Sequence, residues 1–246
     1  MPKIITQTLT QEQDGVPGFI ASPERSTPGP ALLIVHHHYG VTGHIKHMAC
    51  EFAEAGYTAM VPALYDMLGF ADFHEVQKKT TDGRFVEVIG RGWQYLRGRD
   101  DVDEKRVAVM GLCMGGRIGI HFVAATPQAA AFLGYYPSVR EEGPSELRPR
   151  HPNEAAREIH CPSLILFGGQ DRVAPVPVQE KLRACFLEGT PDVEWHFFPP
   201  AGHGFALADG DAYDPALTRL TWPLATNFLD RVLGTETVAT TMRSVA

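Results

Sequence analysis

Apolar and polar positions alternate along this chain in two rhythms, and their order predicts a fold. Residues 31–38, ALLIVHHH, open as a buried strand, apolar and β-branched, after the turn-forming STPGP. HIKHMACEFAEA (44–55) has helical spacing, with Ile45, Met48, Phe52 and Ala55 on one face and Gly56 as its stop. YTAMVPAL is a second strand, and a helical region follows that is strongest over 84–97. RVAVMGL is the third buried strand and MGGRIGIHFVAA the helix after it. AAAFLGYYP, SLILFGGQD and VEWHFFPP read as further strands, VPVQEKLRACFLE as a helix, and PALTRLTWPLATNFLDRVLG as a closing helix with Pro223 as a candidate bend.

Near-continuous apolar strands alternating with amphipathic helices imply parallel strands covered on both faces and joined by right-handed crossovers. About six such strands are legible. The early segment ITQTLTQEQDGVPGFIAS reads as an antiparallel hairpin, which favours a doubly wound open sheet over a closed barrel. In such sheets sites form beyond the carboxyl ends of the strands. That rule marks His36–Tyr39, Leu64–Asp66, Cys113, Tyr135–Pro137, Asp171 and His203. Two segments depart from the layout. Residues 138–160 are polar, proline-rich and long for a connection, which marks them as a candidate lid or insertion. Residues 235–246 read as a C-terminal tail beyond a single domain spanning 1–234.

Composition narrows the function. The chain has 246 residues, 44% of them hydrophobic, and a net charge of -7, which argues against nucleic acid as the main partner. No apolar run approaches the ~20 residues that span a bilayer, and the N-terminus has no apolar signal core, so a cytoplasmic location is expected. The four cysteines, Cys50, Cys113, Cys161 and Cys185, are widely spaced, a pattern of free thiols rather than a disulfide framework.

Three strand ends carry a nucleophile, an acid and a base. Gly111-x-Cys113-x-Gly115 sits between strand and helix, the setting of a nucleophile elbow. There the chain passes close to itself on both sides, so side chains flanking the nucleophile would clash. The helix N-terminus at Met114 supplies N–H groups and partial positive charge that favour a thiolate or an oxyanion. Asp171 follows LILFGGQ, and His203 lies in Ala-Gly-His-Gly-Phe. The histidine can accept the thiol proton while the aspartate holds its tautomer.

These stretches resemble the dienelactone hydrolase family of α/β-hydrolases across roughly residues 15–233. The likeness is carried by LLIVHHHYGVT, AGYTAMVPALY, VAVMGLCMGGR, FLGYYP, LFGGQDRVAP and AGHGFA. It implies an α/β-hydrolase fold with a mostly parallel sheet of about 7–8 strands. It also implies a catalytic set of Cys113, His203 and Asp171, with the backbone N–H groups of Met114 and His38 as the oxyanion hole. A hydrolase of a small lactone or carboxylic ester, working through an acyl-thioenzyme, is the expectation. Alternatives on the same site are a thioesterase or C–C bond hydrolase, or a non-hydrolytic thiol sensor or binding protein. The chain also departs from the family pattern. His37 aligns with a glutamate that helps generate the thiolate, and Leu207 with an arginine that grips the substrate carboxylate. A second family arginine falls near residues 72–92, where this chain offers Arg84 and Lys78. The segment 138–160, with Arg140, Arg148, Arg150 and Arg157, is an alternative source, and the substrate is expected to differ from a dienelactone.

His37, Tyr39, Tyr65, Tyr136, Phe205 and Leu207 are expected to line the substrate pocket, as polar-tipped or apolar residues at strand ends. His44 and His47, three apart on a helix, raise the thought of a metal, but no carboxylate or cysteine joins them at ligand spacing. No metal and no cofactor are expected, and a monomer or homodimer is the expected working form.

Overall fold

The strands of the computed structural model, which describes residues 3–234, join in one sheet. The expected tail, 235–246, lies outside the described residues. In chain order the elements are β1 (Ile4–Leu9), α1 (Gln11–Asp14), β2 (Gly18–Pro23), β3 (Gly29–Val35), α2 (Gly43–Glu54), β4 (Thr58–Pro62), α3 (Leu64–Leu68), α4 (Phe73–Lys79) and α5 (Asp82–Arg97). They continue with β5 (Val102–Leu112), α6 (Met114–Ala124), β6 (Phe132–Tyr135), α7 (Pro152–Ala156), β7 (Ser163–Gly168), α8 (Val176–Gly189), β8 (Val193–Phe198) and α9 (Pro215–Leu233). The sheet has 8 strands in the order β1-β2-β4-β3-β5-β6-β7-β8. β1 and β2 form the expected antiparallel hairpin, and β2 runs antiparallel to β4. All other pairings are parallel.

The strand order explains where the helices go. From β3 the chain steps one way to β4, then back past β3 to β5, and onward to β8. Right-handed crossovers then place α2 on one face and α5, α6, α7 and α8 on the other. α9 returns to the α2 face, where Phe52 and Trp222 meet with ring centroids 4.7 Å apart. Every residue of β3, and Val107–Leu112 of β5, is buried, as strands covered on both faces must be. Local chemistry agrees: Thr42, Thr81 and Asp214 cap α2, α5 and α9 through their side-chain oxygens. α9 runs unbroken through Pro223, which is exposed, so water can serve the carbonyl that loses its helical partner.

The direction of winding reverses between β3 and β5, which opens a crevice beyond their carboxyl ends. His36–His38 leave β3 there, and Cys113 leaves β5.

Candidate active site

Cys113 joins β5 directly to α6 with φ 53 and ψ -113, a strained backbone for a residue with a side chain. Its glycine neighbours are required by close approach. A Cβ on Gly111 would lie 2.3 Å from the Gly115 carbonyl oxygen, and one on Gly115 would lie 2.0 Å from that of Val35. The elbow is thus wedged against the end of β3. Gly115→Ala forces backbone to move against backbone. We expect a stability loss of about 3 kcal/mol or more, measured by urea unfolding against Gly143→Ala, where an added Cβ meets nothing within 4 Å.

Three side chains converge. The Nε2 of His203 lies 3.0 Å from the Cys113 sulfur, and its Nδ1 lies 2.8 Å from Oδ2 of Asp171. The other oxygen of Asp171 accepts the N–H groups of Val173 at 2.8 Å and Ala174 at 2.9 Å, so the carboxylate is held at both ends. Asp171 follows β7, and His203 sits in the turn after β8. The ends of these segments touch: a Cβ on Gly168 would lie 2.2 Å from the Ala201 carbonyl oxygen. Gly204, at φ 85, then turns the chain away.

Electrostatics of the cluster favour a charged pair. Burial alone would push the Cys113 thiol up. Hydrogen bonds and positive charge from His203 and His38 overcome this and bring it down to about 6. Burial would likewise depress His203, but its bonds to Asp171 and the sulfur raise it to about 9. Between those values the resting site holds a thiolate beside an imidazolium.

The histidine run differs from the sequence expectation. The sequence pattern puts His37 at the position of the family's glutamate, and it is His38 whose Nδ1 stands 3.9 Å from the sulfur. β3 ends at Val35, and the chain then turns, leaving His36 and His37 completely buried and His38 half-buried beside the thiol. His36 donates from Nδ1 to the His37 carbonyl at 2.7 Å, and the Tyr39 N–H donates to Nδ1 of His37 at 3.1 Å. Burial pushes His36 down to about 4 and His37 to about 3, so both are neutral supports of the loop. The Tyr65 hydroxyl donates to the His38 carbonyl at 2.7 Å, and the Tyr39 and His38 rings lie 3.8 Å apart. Met114 is the first residue of α6. His44 donates from Nε2 to the Ala206 carbonyl at 2.8 Å, and His47 faces Glu51 at 3.8 Å.

A cavity of about 560 Å³ opens over the sulfur, and its lining corrects a second expectation. None of His37, Tyr39, Tyr65, Tyr136, Phe205 and Leu207 lines it among the described residues. Tyr136, Phe205 and Leu207 are buried beneath the site, where the Tyr136 ring supports His203 at 5.4 Å and Phe205 at 4.9 Å. Large apolar rings at strand ends gain more by packing down onto the core than by facing solvent. The walls come instead from Arg117, Asp82 and the irregular segment 138–152, including Arg140, Arg148, Arg150 and His151. Asp82 binds Arg117 at 2.7 Å and Arg148 at 3.3 Å. Arg148 also donates to the carbonyls of Thr80 and Gln77, which straps the segment to the body. Arg150 pairs with Glu158, and Arg157 with Glu188. Arg140 is exposed and forms no ion pair among the described residues. Arg84 is drawn to Glu87, away from this lining. Sequence reading missed Asp82 and Arg117; Arg117 stands one helical turn beyond Cys113, the spacing that would have placed it on the same face.

Comparison with known proteins gives consistent matches. The profile of the dienelactone hydrolase family matches residues 16–233. A protein of Yersinia pestis named "Putative carboxymethylenebutenolidase" is 31% identical over 206 residues, covering 80% of this chain and 77% of its own. One of the same name from Methylorubrum extorquens is 29% identical over 78% of this chain and 69% of its own. Among solved structures, the "Putative Dienelactone Hydrolase" of Klebsiella pneumoniae superposes with a TM-score of 0.83 at 25% identity, covering 93% of this chain and 99% of that one.

Proposed function

Since the chain belongs to the dienelactone hydrolase family, a family of hydrolases with the α/β-hydrolase fold, we propose that it cleaves a small lactone or carboxylic ester through Cys113. The observation that carries this reading is the line of contacts from sulfur to His203 to Asp171, at 3.0 Å and 2.8 Å.

The thiolate attacks the substrate carbonyl carbon. The tetrahedral oxyanion takes hydrogen bonds from the backbone N–H groups of Met114 and His38. As the C–O bond breaks, Nε2–H of His203 gives its proton to the leaving alkoxide. In a lactone that hydroxyl stays on the acyl group. His203, now neutral, takes a proton from water as the water attacks the thioester, and collapse expels the thiolate beside a restored imidazolium. Asp171 holds the imidazole throughout with Nδ1–H toward itself. His38, on the second side of the sulfur, helps keep the thiol ionised.

The cycle needs thiolate and imidazolium together, which sets its pH dependence. Deprotonation of Cys113 turns activity on as pH rises through about 6, and loss of the His203 proton turns it off through about 9. A bell-shaped kcat/KM profile for p-nitrophenyl acetate between those limits is the expected result. Alkylation by iodoacetamide should rise with the lower limb only. A single rise centred near the value of a free thiol would refute the resting ion pair.

The carboxymethylenebutenolide in the relatives' names is a lactone with a carboxyl group. Leu207 cannot grip such a group, and Arg140 is the cation of the cavity without an acidic partner among the described residues. We assign Arg140 to an anionic group of the substrate, with 138–152 as the cover that carries it. Arg140→Ala should raise KM about tenfold for carboxylate-bearing esters and leave neutral esters unchanged; equal effects on both would exclude the assignment.

A further inference from the structure

A second cavity, of about 330 Å³, lies on the α2–α9 face and shares no lining residue with the first among the described residues. It is bounded by α2, α9 and the connection 206–215, with Met110 and Tyr135 as its floor. Its walls are largely apolar and aromatic. Phe52 and Trp222 form one side, and Tyr213, 39% exposed, stands at the mouth. This is the usual build of a small-molecule pocket, at the small end of its size range. Phe52, Trp222 and Tyr213 offer an aromatic guest flat apolar surface to cover.

The rim sets the charge of that guest. Glu51, the carboxylate of the lining, is faced by His47 at 3.8 Å. Arg219 is exposed and forms no ion pair among the described residues. A flat apolar wall beside a guanidinium that forms no ion pair among the described residues is complementary to an aromatic ring carrying an anionic group.

The upper wall is the chain that leaves His203. Ala206 lines the cavity, and its carbonyl accepts from Nε2 of His44 at 2.8 Å. The preceding carbonyl, of Phe205, accepts from the Asp214 N–H at 2.8 Å and the Thr218 hydroxyl at 3.2 Å. Phe205 in turn packs on Tyr136, the ring beneath His203. A guest that moves His44 or Ala206 therefore reaches the imidazole through Gly204 and one layer of aromatic packing.

We propose that this cavity is a second ligand site, for a small aromatic anion, whose occupancy modulates the reaction at Cys113. The modulation rests on the hydrolase reading above; the binding does not.

The probe is 8-anilinonaphthalene-1-sulfonate, titrated into the full chain and followed by its own fluorescence and by quenching of tryptophan emission. One site per chain is expected, with kcat for p-nitrophenyl acetate changing at the same half-saturation. Ala208→Phe, which fills the mouth from an exposed position, and Arg219→Gln should each weaken binding about tenfold without changing basal kcat. Unaltered binding in both variants overturns the site. So does loss of binding in Arg140→Ala, which would place the probe over Cys113. Binding with no change in kcat overturns the modulation. If the wild type hydrolyses no ester yet binds the probe as described, the hydrolase reading fails and the binding site stands. A dimer that buries Tyr213 and excludes the probe until Leu220→Glu dissociates it would assign the cavity to a second copy of the chain and overturn the proposal.

Discussion

Cys113→Ala is expected to lower kcat/KM for ester hydrolysis by about 10⁴-fold or more, leaving a folded protein. The loss is large because the mechanism has no other attacking atom. The remaining polar groups can bind and polarise the carbonyl but form no acyl intermediate. The fold should survive because alanine keeps the backbone of the elbow and the change removes a single sulfur atom from a residue that is 7% exposed, a small truncation among core substitutions. The variant has a second signature. Two of the interactions that raise His203 come from the sulfur, so its titration should fall from about 9 when the sulfur is gone. Imidazole NMR reads this directly. A variant that kept its esterase activity would remove Cys113 from the reaction.

Asp171→Asn should cost nearly as much, about 10³–10⁴-fold in kcat, with little effect on stability. The side chain is isosteric, and its oxygen can keep the N–H groups of Val173 and Ala174. Its amide nitrogen is then forced to face Nδ1 of His203. Both would be donors, so the imidazole must take the opposite tautomer, with a proton on Nε2 and none on Nδ1. That ring cannot accept the thiol proton. The imidazolium also loses its counter-charge, so the thiol should titrate closer to its ordinary value. The alkylation profile should therefore shift upward in pH while KM holds. A fall in kcat with an unchanged alkylation profile would mean that Asp171 supports the loop and not the ion pair.

Legibility in the sequence followed the range of the interactions. β3, β5 and α6 announced themselves because burial on both faces of a parallel sheet leaves continuous apolar runs, and because Gly111 and Gly115 are demanded by clashes of 2.3 Å and 2.0 Å within the local turn. Cys113, Asp171 and His203 were legible because each ends a strand at the crevice. The short helices α1 and α7 carry too few turns for periodicity to speak, and α3 and α4 were legible only as the weaker part of the helical region before 84–97. The cavity walls were misread for a different reason. Tyr136 and Phe205 sit next to the reacting groups in sequence, but burial turns their rings downward. The actual walls are joined by long-range pairs, such as Arg148 with Asp82, that no local pattern encodes. The exchange of His37 for His38 is the smallest such miss. One residue of register at the end of β3 decides which imidazole meets the sulfur.

In the proposed cycle Cys113 carries the acyl group. Mixing the enzyme with p-nitrophenyl acetate, quenching in acid within the first turnovers and mapping peptides by mass spectrometry would locate that group. One acetyl group is expected, on Cys113 and released by hydroxylamine as a thioester should be. Steady turnover with the acetyl group on another side chain, or with none on the protein at any quench time, would contradict it.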